Sequence, residues 1–293
     1  MLPEAFLQRM QLQLGEEFPA FLQSLERPRA VALRFNPLKG PATELPFAAD
    51  PVPWEPMGYY YDPQARPGLH PYHEAGVYYL QEASAMAPVQ LLDPGPGERI
   101  CDLCAAPGGK STIYSTLVGR EGLVVANDIS RSRALALADN VQRWGMGNVV
   151  VTNNEPQHIS AFKHWFDVVA VDAPCSGEGM FRKMEEARTE WSPSAPEQCA
   201  ERQREILSEA WQALRPGGML IYSTCTFNPT EDEGIVEWLM AEYGSELEAV
   251  GGIDVDEEWG ITTCRIGEFQ CFHFYPHKAR GEGFFAAVAV TLI

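Results

Sequence analysis

Short runs of β-branched residues alternate with helical patterns between about residues 97 and 226. Compact runs rich in Val and Ile predict strands, and apolar residues that recur along one helix face predict helices. The predicted strands are ERICDLC, GLVVAND, NVVVT, FDVVAVDAP and GGMLIYSTC, and the helices between them are GGKSTIYSTLV, RSRALALADNVQRWG and PEQCAERQREILSEAWQAL. This alternation predicts an α/β fold with a mostly parallel, doubly wound sheet.

The two ends of the chain have different patterns. FQCFHFYPHKARGEGFFAAVAVTLI contains two apolar runs around a glycine-rich turn and predicts a closing antiparallel hairpin. Before residue 97 the sequence predicts two helical stretches, a short strand ALRFNP, a proline-rich connector over residues 37–71 and a helix near residues 82–92. We therefore expect a small α+β N-terminal lobe over residues 1–75 and a main domain over residues 76–293.

Composition places the chain among globular proteins, because 45% of its residues are hydrophobic and 21% are charged. The first stretch, MLPEAFLQRMQLQLGEEF, interrupts its apolar residues with charges and predicts an amphipathic helix, not a signal peptide. No segment has the apolar length needed to span a bilayer. Seven cysteines, an odd number, argue against a secreted disulfide framework and favour reduced thiols in the cytoplasm.

The net charge of -18 argues against indiscriminate binding of nucleic acid. Much of this charge is local, because the segment from Pro216 to Cys264 contains 11 acidic residues and no basic one. Solvated surface charge explains most basic groups on a protein, but small clusters also permit local phosphate contacts. The clusters here are Arg27, Arg29, Arg34 and Lys39; Arg131, Arg133 and Arg143; and Arg182, Lys183 and Arg188.

The stretch CDLCAAPGGKS joins a predicted strand to a predicted helix through a Pro-Gly-Gly turn. Glycines at such a junction let the backbone approach a ligand, and the helix N-terminus directs N–H donors toward it. The stretch lacks the first glycine of a P-loop and does not match GxGxxG. Turn geometry alone is the alternative explanation of this motif.

Polar residues end three of the next predicted strands. Asp128 follows the second strand and is placed to accept hydrogen bonds from ribose hydroxyls, with helix capping as the alternative. The third strand ends in Asn153, Asn154 and Glu155, any of which could meet an adenine edge, and Asp172 ends the fourth. Together these strand ends predict a nucleoside-like cofactor in a crevice at the carboxyl edge of the sheet.

Several motifs resemble those of the S-adenosylmethionine-dependent RNA cytosine-C5 methyltransferases. They are DLCAAPGGK, NDIS, VDAPCSGEGMFRK, RPGGMLIYSTCTFNPTEDE and PHKARGEGFFAAVAV, with LRFNPLK near the start. LPEAFLQRM and YYLQEASAMAPV are most similar to a bacterial branch of this family that acts on ribosomal RNA. The resemblance covers nearly the whole chain, and it implies a Rossmann-like methyltransferase core. Members of this branch commonly continue into a C-terminal RNA-binding region beyond AAVAVTLI.

The resemblance also implies S-adenosyl-L-methionine as the cofactor. Glu155 stands where the family usually has an aspartate, one methylene shorter. The cofactor-binding residues that the resemblance implies are Cys104, Ala105, Ala106, Pro107, Gly108, Gly109, Lys110, Asp128, Glu155 and Asp172.

Cytosine C5 is a poor nucleophile, so its methylation needs covalent help. A thiolate that adds to C6 raises the electron density at C5, which then attacks the methyl group. The resemblance assigns this addition to Cys225 and assistance in product release to Cys175, with Asp172 facing the base.

The remaining cysteines have simpler explanations. We expect Cys101, Cys199, Cys264 and Cys271 to pack in the interior, as free cysteines usually do. No metal is expected, because Cys101 and Cys104 form a lone pair without a second pair of ligands. Cysteine–histidine chemistry of the protease or transferase type would require His273 or His277 to fold over the crevice.

RNA is the expected partner, and no membrane partner is expected. Arg34 and Lys39, from LRFNPLK, and the basic pair Arg182 and Lys183 are the predicted RNA contacts. The target base must leave its stack to reach the crevice, which favours an unpaired loop. Ribosomal RNA is the expected substrate; transfer RNA is the alternative, and a non-catalytic scaffold for ribosome assembly is the alternative of another class.

Overall fold

Parallel strands joined by helices form the centre of the molecule. This computed structural model describes residues 2–40, 45, 47–248, 250 and 252–292. The helices are α1 Glu4–Leu14, α2 Phe18–Glu26, α3 Pro71–Glu74, α4 Ala87–Leu92, α5 Gly109–Val118, α6 Arg131–Trp144, α7 Pro156–Ile159, α8 Glu185–Glu190, α9 Ala195–Ala213 and α10 Glu233–Tyr243. The strands are β1 Ala32–Phe35, β2 Ala48–Pro51, β3 Gly58–Tyr61, β4 Tyr78–Leu80, β5 Arg99–Asp102, β6 Leu123–Asn127, β7 Val149–Thr152, β8 Phe166–Asp172, β9 Leu214–Thr224, β10 Leu247–Glu248, β11 Thr262–Ile266, β12 Phe269–Phe274 and β13 Phe284–Thr291.

The large sheet has the strand order β11-β12-β13-β9-β8-β5-β6-β7, and β10 pairs with β13. Strands β5 to β9 pair in parallel, whereas β10 to β13 pair antiparallel. The predicted α/β fold with a parallel doubly wound sheet and a C-terminal hairpin is therefore confirmed. The strand order reverses beside β5, and in such sheets ligands bind at this switch point, outside the carboxyl ends of the strands.

Two apolar clusters cover the two faces of this sheet. Ile100 and Val168 belong to one cluster, and their chain neighbours Cys101 and Val169 belong to the other. Side chains of a strand alternate between faces, so strands covered on both faces consist of nearly continuous apolar residues. Within the described part of the chain, no helix combines the length and apolar character of a membrane span.

A four-stranded antiparallel sheet with the order β2-β3-β1-β4 forms the core of the N-terminal lobe. The predicted proline-rich connector over residues 37–71 contains two strands that the sequence did not indicate, β2 and β3. β2 is an edge strand that ends on Pro51, and an edge is where a strand tolerates proline. β4 lies beyond residue 75 and still pairs with β1.

The N-terminal helices pack on the loops that follow β8 and β9. Phe6 of α1 and Phe21 of α2 are fully buried against Phe227. Arg9 adds an ion pair of 2.5 Å between its Nη2 and Oε2 of Glu178, whose side chain is completely buried. These contacts attach α1 and α2 to the segment that contains Cys225.

The backbone is closely packed where the loop after β8 meets the segment before β13. The amide of Gly179 donates to the carbonyl oxygen of Cys225 over 2.9 Å. A Cβ atom on Gly179 would overlap the carbonyl oxygen of Gly283 and lie 2.9 Å from that of Cys225. Position 179 therefore requires glycine, because the backbone of residues 283 and 225 leaves no space for a side chain there.

We expect Gly179→Ala to lower the free energy of unfolding by about 1 to 3 kcal/mol, the usual range for overpacking. Gly95→Ala is the control, because the nearest atom to a Cβ there is 3.9 Å away; it should change stability by less than about 0.5 kcal/mol. Urea unfolding of both variants measures the difference. Equal stability of the two variants would contradict the close approach.

Candidate active site

The carboxyl ends of four neighbouring strands carry polar residues into one region. β5 ends in Asp102, β6 leads into Asp128, β8 ends in Asp172 and β9 leads into Cys225. Since β5, β6, β8 and β9 run in parallel, these ends lie at the same edge of the sheet. The structure thus brings together residues that lie up to 123 positions apart in sequence.

A first cavity of about 590 Å³ lies in this crevice. Asp128 is 2% exposed and stays in place because its Oδ1 accepts the amide of Ser130 over 2.9 Å while Oδ2 lies 3.3 Å from Arg133 Nη2. Glu155 precedes α7 and makes no capping hydrogen bond with its side chain. The cavity is lined by Leu103, Cys104, Asn127, Asp128, Ile129, Arg133, Glu155, Pro156, Gln157, Asp172, Ala173, Pro174, Cys175, Arg202, Glu205, Ile206 and Cys225.

A second cavity of about 270 Å³ lies on the other side of the same strand ends. Its walls come from the segment after β4, from the loop after β5 and from the segment before β13. The lining residues are Tyr79, Leu80, Gln81, Glu82, Ala85, Asp102, Cys104, Ala105, Ala106, Pro107, Gly109, Lys110, Asp172, Met180, Lys183, Cys225, Glu282, Gly283 and Phe284. The two cavities share three residues, Cys104, Asp172 and Cys225.

The predicted cofactor residues divide between these cavities. Cys104, Asp128, Glu155 and Asp172 line the first one. The rest of the predicted loop lines the second cavity, except Gly108. Gly108 is a turn residue, with a φ of 108° and a close approach to Leu137. The residues that line only the second cavity are Ala105, Ala106, Pro107, Gly109 and Lys110.

Cys175 and Cys225 face each other where the cavities meet. Their Sγ atoms are 3.3 Å apart, and the Cys225 amide donates to Cys175 Sγ over 3.4 Å. The hydrogen bond with Cys225, together with burial, raises the pKa of Cys175 well above that of an ordinary thiol. Cys175 therefore remains a neutral thiol near neutral pH. Cys225 lines both cavities, whereas Cys175 lines the first.

Asp172 is held by two donors. Lys110 Nζ lies 2.7 Å from its Oδ2, and Ser223 donates its hydroxyl to Oδ1 over 2.9 Å. Lys110 is 8% exposed, and its Nζ lies 5.0 Å from the ring centroid of Phe284. The pair places one fixed carboxylate and one cation at the junction of the two cavities.

Glu231, to which no role was assigned from the sequence, binds the segment that contains Cys175. Its Oε1 accepts the amide of Ser176 over 2.7 Å and Gln203 Nε2 over 3.2 Å, and its Oε2 accepts the Ser176 hydroxyl. Gln203 also donates to the carbonyl oxygen of Pro174 over 3.0 Å. Burial raises the pKa of Glu231 to about 7, although the bonds from Ser176 oppose this shift. Its place in STCTFNPTEDE, six residues after Cys225, is the signal that could have found it.

Two of the predicted RNA contacts are interior side chains. Arg34 is 2% exposed, donates to Thr112 Oγ1 over 2.6 Å and lies 4.4 Å from the ring centroid of Trp144. The Arg182 side chain is 7% exposed and pairs with Glu282 at 3.0 Å. Neither guanidinium is free to meet a phosphate, which departs from the prediction. The LRFNPLK and GMFRK motifs did not distinguish structural arginines from exposed ones.

The two predicted lysines are exposed. Lys39 donates to the carbonyl oxygens of Ala75 and Arg143 over 2.6 and 2.7 Å. It therefore links the segment after β1 to the C-terminal end of α6. Lys183 lines the second cavity. Of the four predicted RNA contacts, only Lys183 lines either of the two cavities described above. In the described ranges no group of three or more His, Cys, Asp or Glu is arranged to hold a metal ion.

The doubly wound sheet, with its crevice at the switch point, is a Rossmann-like methyltransferase fold with an N-terminal lobe. The chain belongs to the family described as 16S rRNA methyltransferase RsmB/F, whose sequence profile matches residues 89–289. The profile of the N-terminal domain of 16S rRNA methyltransferase RsmF matches residues 2–83. The resemblance noted in the motifs is thereby confirmed.

Relatives named ribosomal RNA small subunit methyltransferase F are similar over almost the whole chain. The protein from Cronobacter sakazakii is 36% identical over 302 residues, which is 98% of this chain and 62% of the relative. That from Escherichia coli O9:H4 is 36% identical over 301 residues, which is 97% of this chain and 62% of the relative. The chain thus spans 62% of the length of these relatives.

Solved structures share the fold. A methyltransferase homologue from Pyrococcus horikoshii is 28% identical with a TM-score of 0.77, over 99% of this chain and 100% of that one. NSun6 from Pyrococcus horikoshii, solved with SFG, is 21% identical with a TM-score of 0.82, over 99% of this chain and 98% of that one. The second likeness concerns the fold alone.

We expect Glu231→Gln to change how stability depends on pH. An unfolded glutamate has a pKa of about 4.3, and Glu231 has a raised pKa of about 7 in the folded protein. The native state therefore holds this proton more tightly, and wild-type stability falls as the pH rises from about 4.3 to about 7. Glutamine resembles the protonated acid and removes this loss.

Across that window the variant should gain up to about 3 kcal/mol relative to wild type. Urea unfolding at pH 5, 6, 7 and 8 measures the difference. Glu237→Gln, at an exposed site on α10, controls for the loss of one acidic residue from the surface. A difference between Glu231→Gln and wild type that is the same at every pH would show that Glu231 does not titrate in this range.

Proposed function

We propose that this chain transfers a methyl group from S-adenosyl-L-methionine to C5 of a cytosine in RNA, with small-subunit ribosomal RNA as the substrate. One observation carries the proposal: two cavities meet at a cysteine that lines both, beside a second cysteine and a fixed carboxylate. A transfer between two bound molecules requires such a shared wall. Membership of the RsmB/F family supports ribosomal RNA over transfer RNA.

The first cavity fits the cofactor. Its polar walls place the carboxylates of Asp128 and Glu155 at neighbouring strand ends, where they can accept hydrogen bonds from ribose and adenine. Asp128 is nearly buried and already fixed by Ser130, so it needs no rearrangement to bind a ribose. When bound, S-adenosyl-L-methionine would supply an electrophilic methyl group. The residues present fit that group.

The second cavity fits the target base. The Lys110–Asp172 pair at its end offers one donor and one acceptor, which suit the polar edge of a cytosine. In this proposal Lys110 contacts the base, whereas the sequence resemblance implied that it binds the cofactor. A base flipped out of its stack is usually held between apolar or aromatic walls, and Phe284 and Tyr79 provide such walls here.

The two cysteines take different roles in the proposed reaction. The Cys225 thiolate would add to C6 of the base, and C5 would take the methyl group as the sulfonium–methyl bond breaks and S-adenosyl-L-homocysteine leaves. Transfer of the C5 proton to a base would then break the Sγ–C6 bond and release the Cys225 thiolate. Cys225 fits the addition because it lines the base cavity as well as the first cavity. Cys175 keeps its proton because its pKa is raised, so it can donate a hydrogen bond to Cys225 and assist the departure of the product.

RNA recognition in this proposal uses a small exposed basic surface. Lys183 at the mouth of the base cavity contacts the backbone, and the N-terminal lobe, residues 1–75 with Lys39, provides the rest. Arg34 and Arg182 support the fold. With a net charge of -18 the protein is unsuited to bind any RNA indiscriminately. All seven cysteines are free thiols, which suits a cytoplasmic protein.

We expect Asp128→Ala to weaken binding of S-adenosyl-L-homocysteine by about 5- to 150-fold, which corresponds to one lost hydrogen-bonding group of about 1 to 3 kcal/mol. Asp139→Ala is the matched control, since Asp139 is exposed on α6 and lines neither cavity. Isothermal titration calorimetry measures both constants. Unchanged affinity of Asp128→Ala, or no binding by folded wild type, would refute the assignment of the first cavity.

The cysteine roles predict opposite outcomes for two variants. With unmodified small ribosomal subunits and cofactor, Cys225→Ala should transfer no methyl group and form no adduct. Cys175→Ala should transfer a methyl group and then remain covalently attached to RNA, visible as a slow band on a denaturing gel. Because the thiolate is the attacking species, this band should form more slowly as the pH falls.

Bisulfite sequencing of the same RNA identifies the methylated cytosine. Cys264→Ala is the control and should behave as wild type, because Cys264 is exposed and lines neither cavity. A slow band with Cys225→Ala and none with Cys175→Ala would reverse the two roles. A folded wild-type protein that binds cofactor and methylates neither small subunits nor transfer RNA would favour the non-catalytic scaffold.

A further inference from the structure

A second cysteine pair lies on the hairpin formed by β11 and β12, and neither cysteine lines the two cavities. Cys264 of β11 and Cys271 of β12 are directly opposite each other in the antiparallel pairing. Residues opposite each other in such a pair have Cα atoms about 4.5 to 5.5 Å apart, within the span that a disulfide bridges. The sequence predicted that both residues simply pack. Cys271 is fully buried, but Cys264 is exposed.

A histidine and a carboxylate stand beside this pair. Nε2 of His273 lies 4.0 Å from Cys264 Sγ and 3.2 Å from Oε1 of Glu233. His273 is buried, and its ring stacks against that of Tyr275 with centroids 5.7 Å apart. Both contacts are made by the same ring nitrogen, so the thiol and the carboxylate lie on one edge of the imidazole ring.

The charges of this group favour a thiolate at Cys264. Burial lowers the pKa of His273, but its hydrogen bonds to Cys264 and Glu233 outweigh burial and raise the pKa to about 10. The imidazolium therefore persists at neutral pH. Hydrogen bonds from Cys271 and then from His273 lower the pKa of Cys264 to about 5. Cys271 has a raised pKa, because it shares its proton with Cys264.

We propose that Cys264 and Cys271 form a peroxide-sensitive thiol pair, in which exposed Cys264 reacts first and buried Cys271 closes a disulfide. The features are those of redox-sensitive cysteines: ionisation, access to solvent and an adjacent resolving thiol. β11 lies at the edge of the described sheet, so peroxide reaches Cys264 without local unfolding. In a reducing cytoplasm such disulfides are transient and serve sensing.

The chemistry balances with one hydrogen peroxide. The Cys264 thiolate attacks a peroxide oxygen, the O–O bond breaks, and water leaves after proton uptake, so the sulfur becomes a sulfenic acid. Its negative charge is then gone, which eases deprotonation of Cys271. Sγ of Cys271 attacks the sulfenic sulfur, the S–S bond forms, the S–O bond breaks, and a second water leaves with the Cys271 proton. Two thiols and one peroxide give one disulfide and two waters.

Peptide mapping of the wild-type protein tests the cross-link directly. Trypsin alone leaves Cys225 and Cys264 in one peptide, because no Lys or Arg lies between Pro216 and Cys264. Adding a glutamate-specific protease separates them. After limited peroxide at pH 6.5, residues 259–265 should be linked to residues 269–278.

Cys175 and Cys225 could also form a disulfide under peroxide, because their sulfur atoms are 3.3 Å apart. They therefore serve as an internal comparison. The hairpin link should form before a link between those two. Iodoacetamide labels only the Cys264 that has not reacted with peroxide. If a Cys175–Cys225 link forms while iodoacetamide can still label all of Cys264, the proposal is overturned. Cys264→Ser should lose the hairpin link and keep full methyl transfer, whereas lost methyl transfer would show that the hairpin is not separate from the site.

The pH dependence of alkylation tests the role of His273. An ordinary thiol with a pKa of about 8.5 reacts about 75-fold more slowly at pH 6 than at pH 8. Cys264 should slow by less than about twofold over this range, because it is already ionised. His273→Gln should restore a steep dependence, which a merely structural role would not do. A wild-type Cys264 that follows free cysteine at both pH values would overturn the proposal.

Discussion

The parallel pairing of β8 with β9 is the constraint on which the candidate site depends. Its register places Asp172 opposite Ser223, and the chain leaves both strands at the same level. The segment after β8 therefore carries Cys175 to within 3.3 Å of Cys225 without any covalent link between them. A shift of one residue in this pairing would turn the side chains of β9 to the other face and separate the pair.

The antiparallel strand β13 provides a further wall of the candidate site. It lies against β9, with Phe285 opposite Thr224, and so brings Gly283 and Phe284 to the wall of the second cavity. The close approach of Gly179 and Gly283 then sets the backbone around Cys225. A purely parallel sheet would leave this side of Cys225 open. β13 is thus part of the site as well as part of the core.

Three basic side chains lie in the interior, where they are not available to the RNA backbone. Arg34, Arg182 and Lys110 are largely buried, and each is engaged by an interior partner. Buried guanidinium groups require such partners, because an unpaired charge in the interior is costly. The described acidic residues are mostly on the surface, so the exposed surface carries a net negative charge. In the proposed function, selectivity for a structured RNA follows from this distribution.

Periodicity predicted the parallel strands because each is a buried apolar run with a turn at both ends. Periodicity missed β2, β3, β4, β10 and β11, which are short and partly exposed, so their patterns resemble those of loops. Strand ends located Asp128, Asp172 and both catalytic candidates, because parallel topology alone gathers strand ends at one edge. The sequence pattern could not predict the role of Glu231 or the burial of Arg34, because both depend on contacts between distant segments.

The two cysteine pairs show why residue type alone does not determine chemistry. Cys175 is hydrogen-bonded to Cys225 and buried, and both effects raise its pKa, so Cys175 keeps its proton. Cys264 and Cys271 lie beside the His273 imidazolium, which stabilises a thiolate at the exposed position. A thiol that must add to a base and leave again benefits from a nearby proton donor. A thiol that must react with peroxide benefits from permanent ionisation, and the fold supplies each environment from the strands that flank β13.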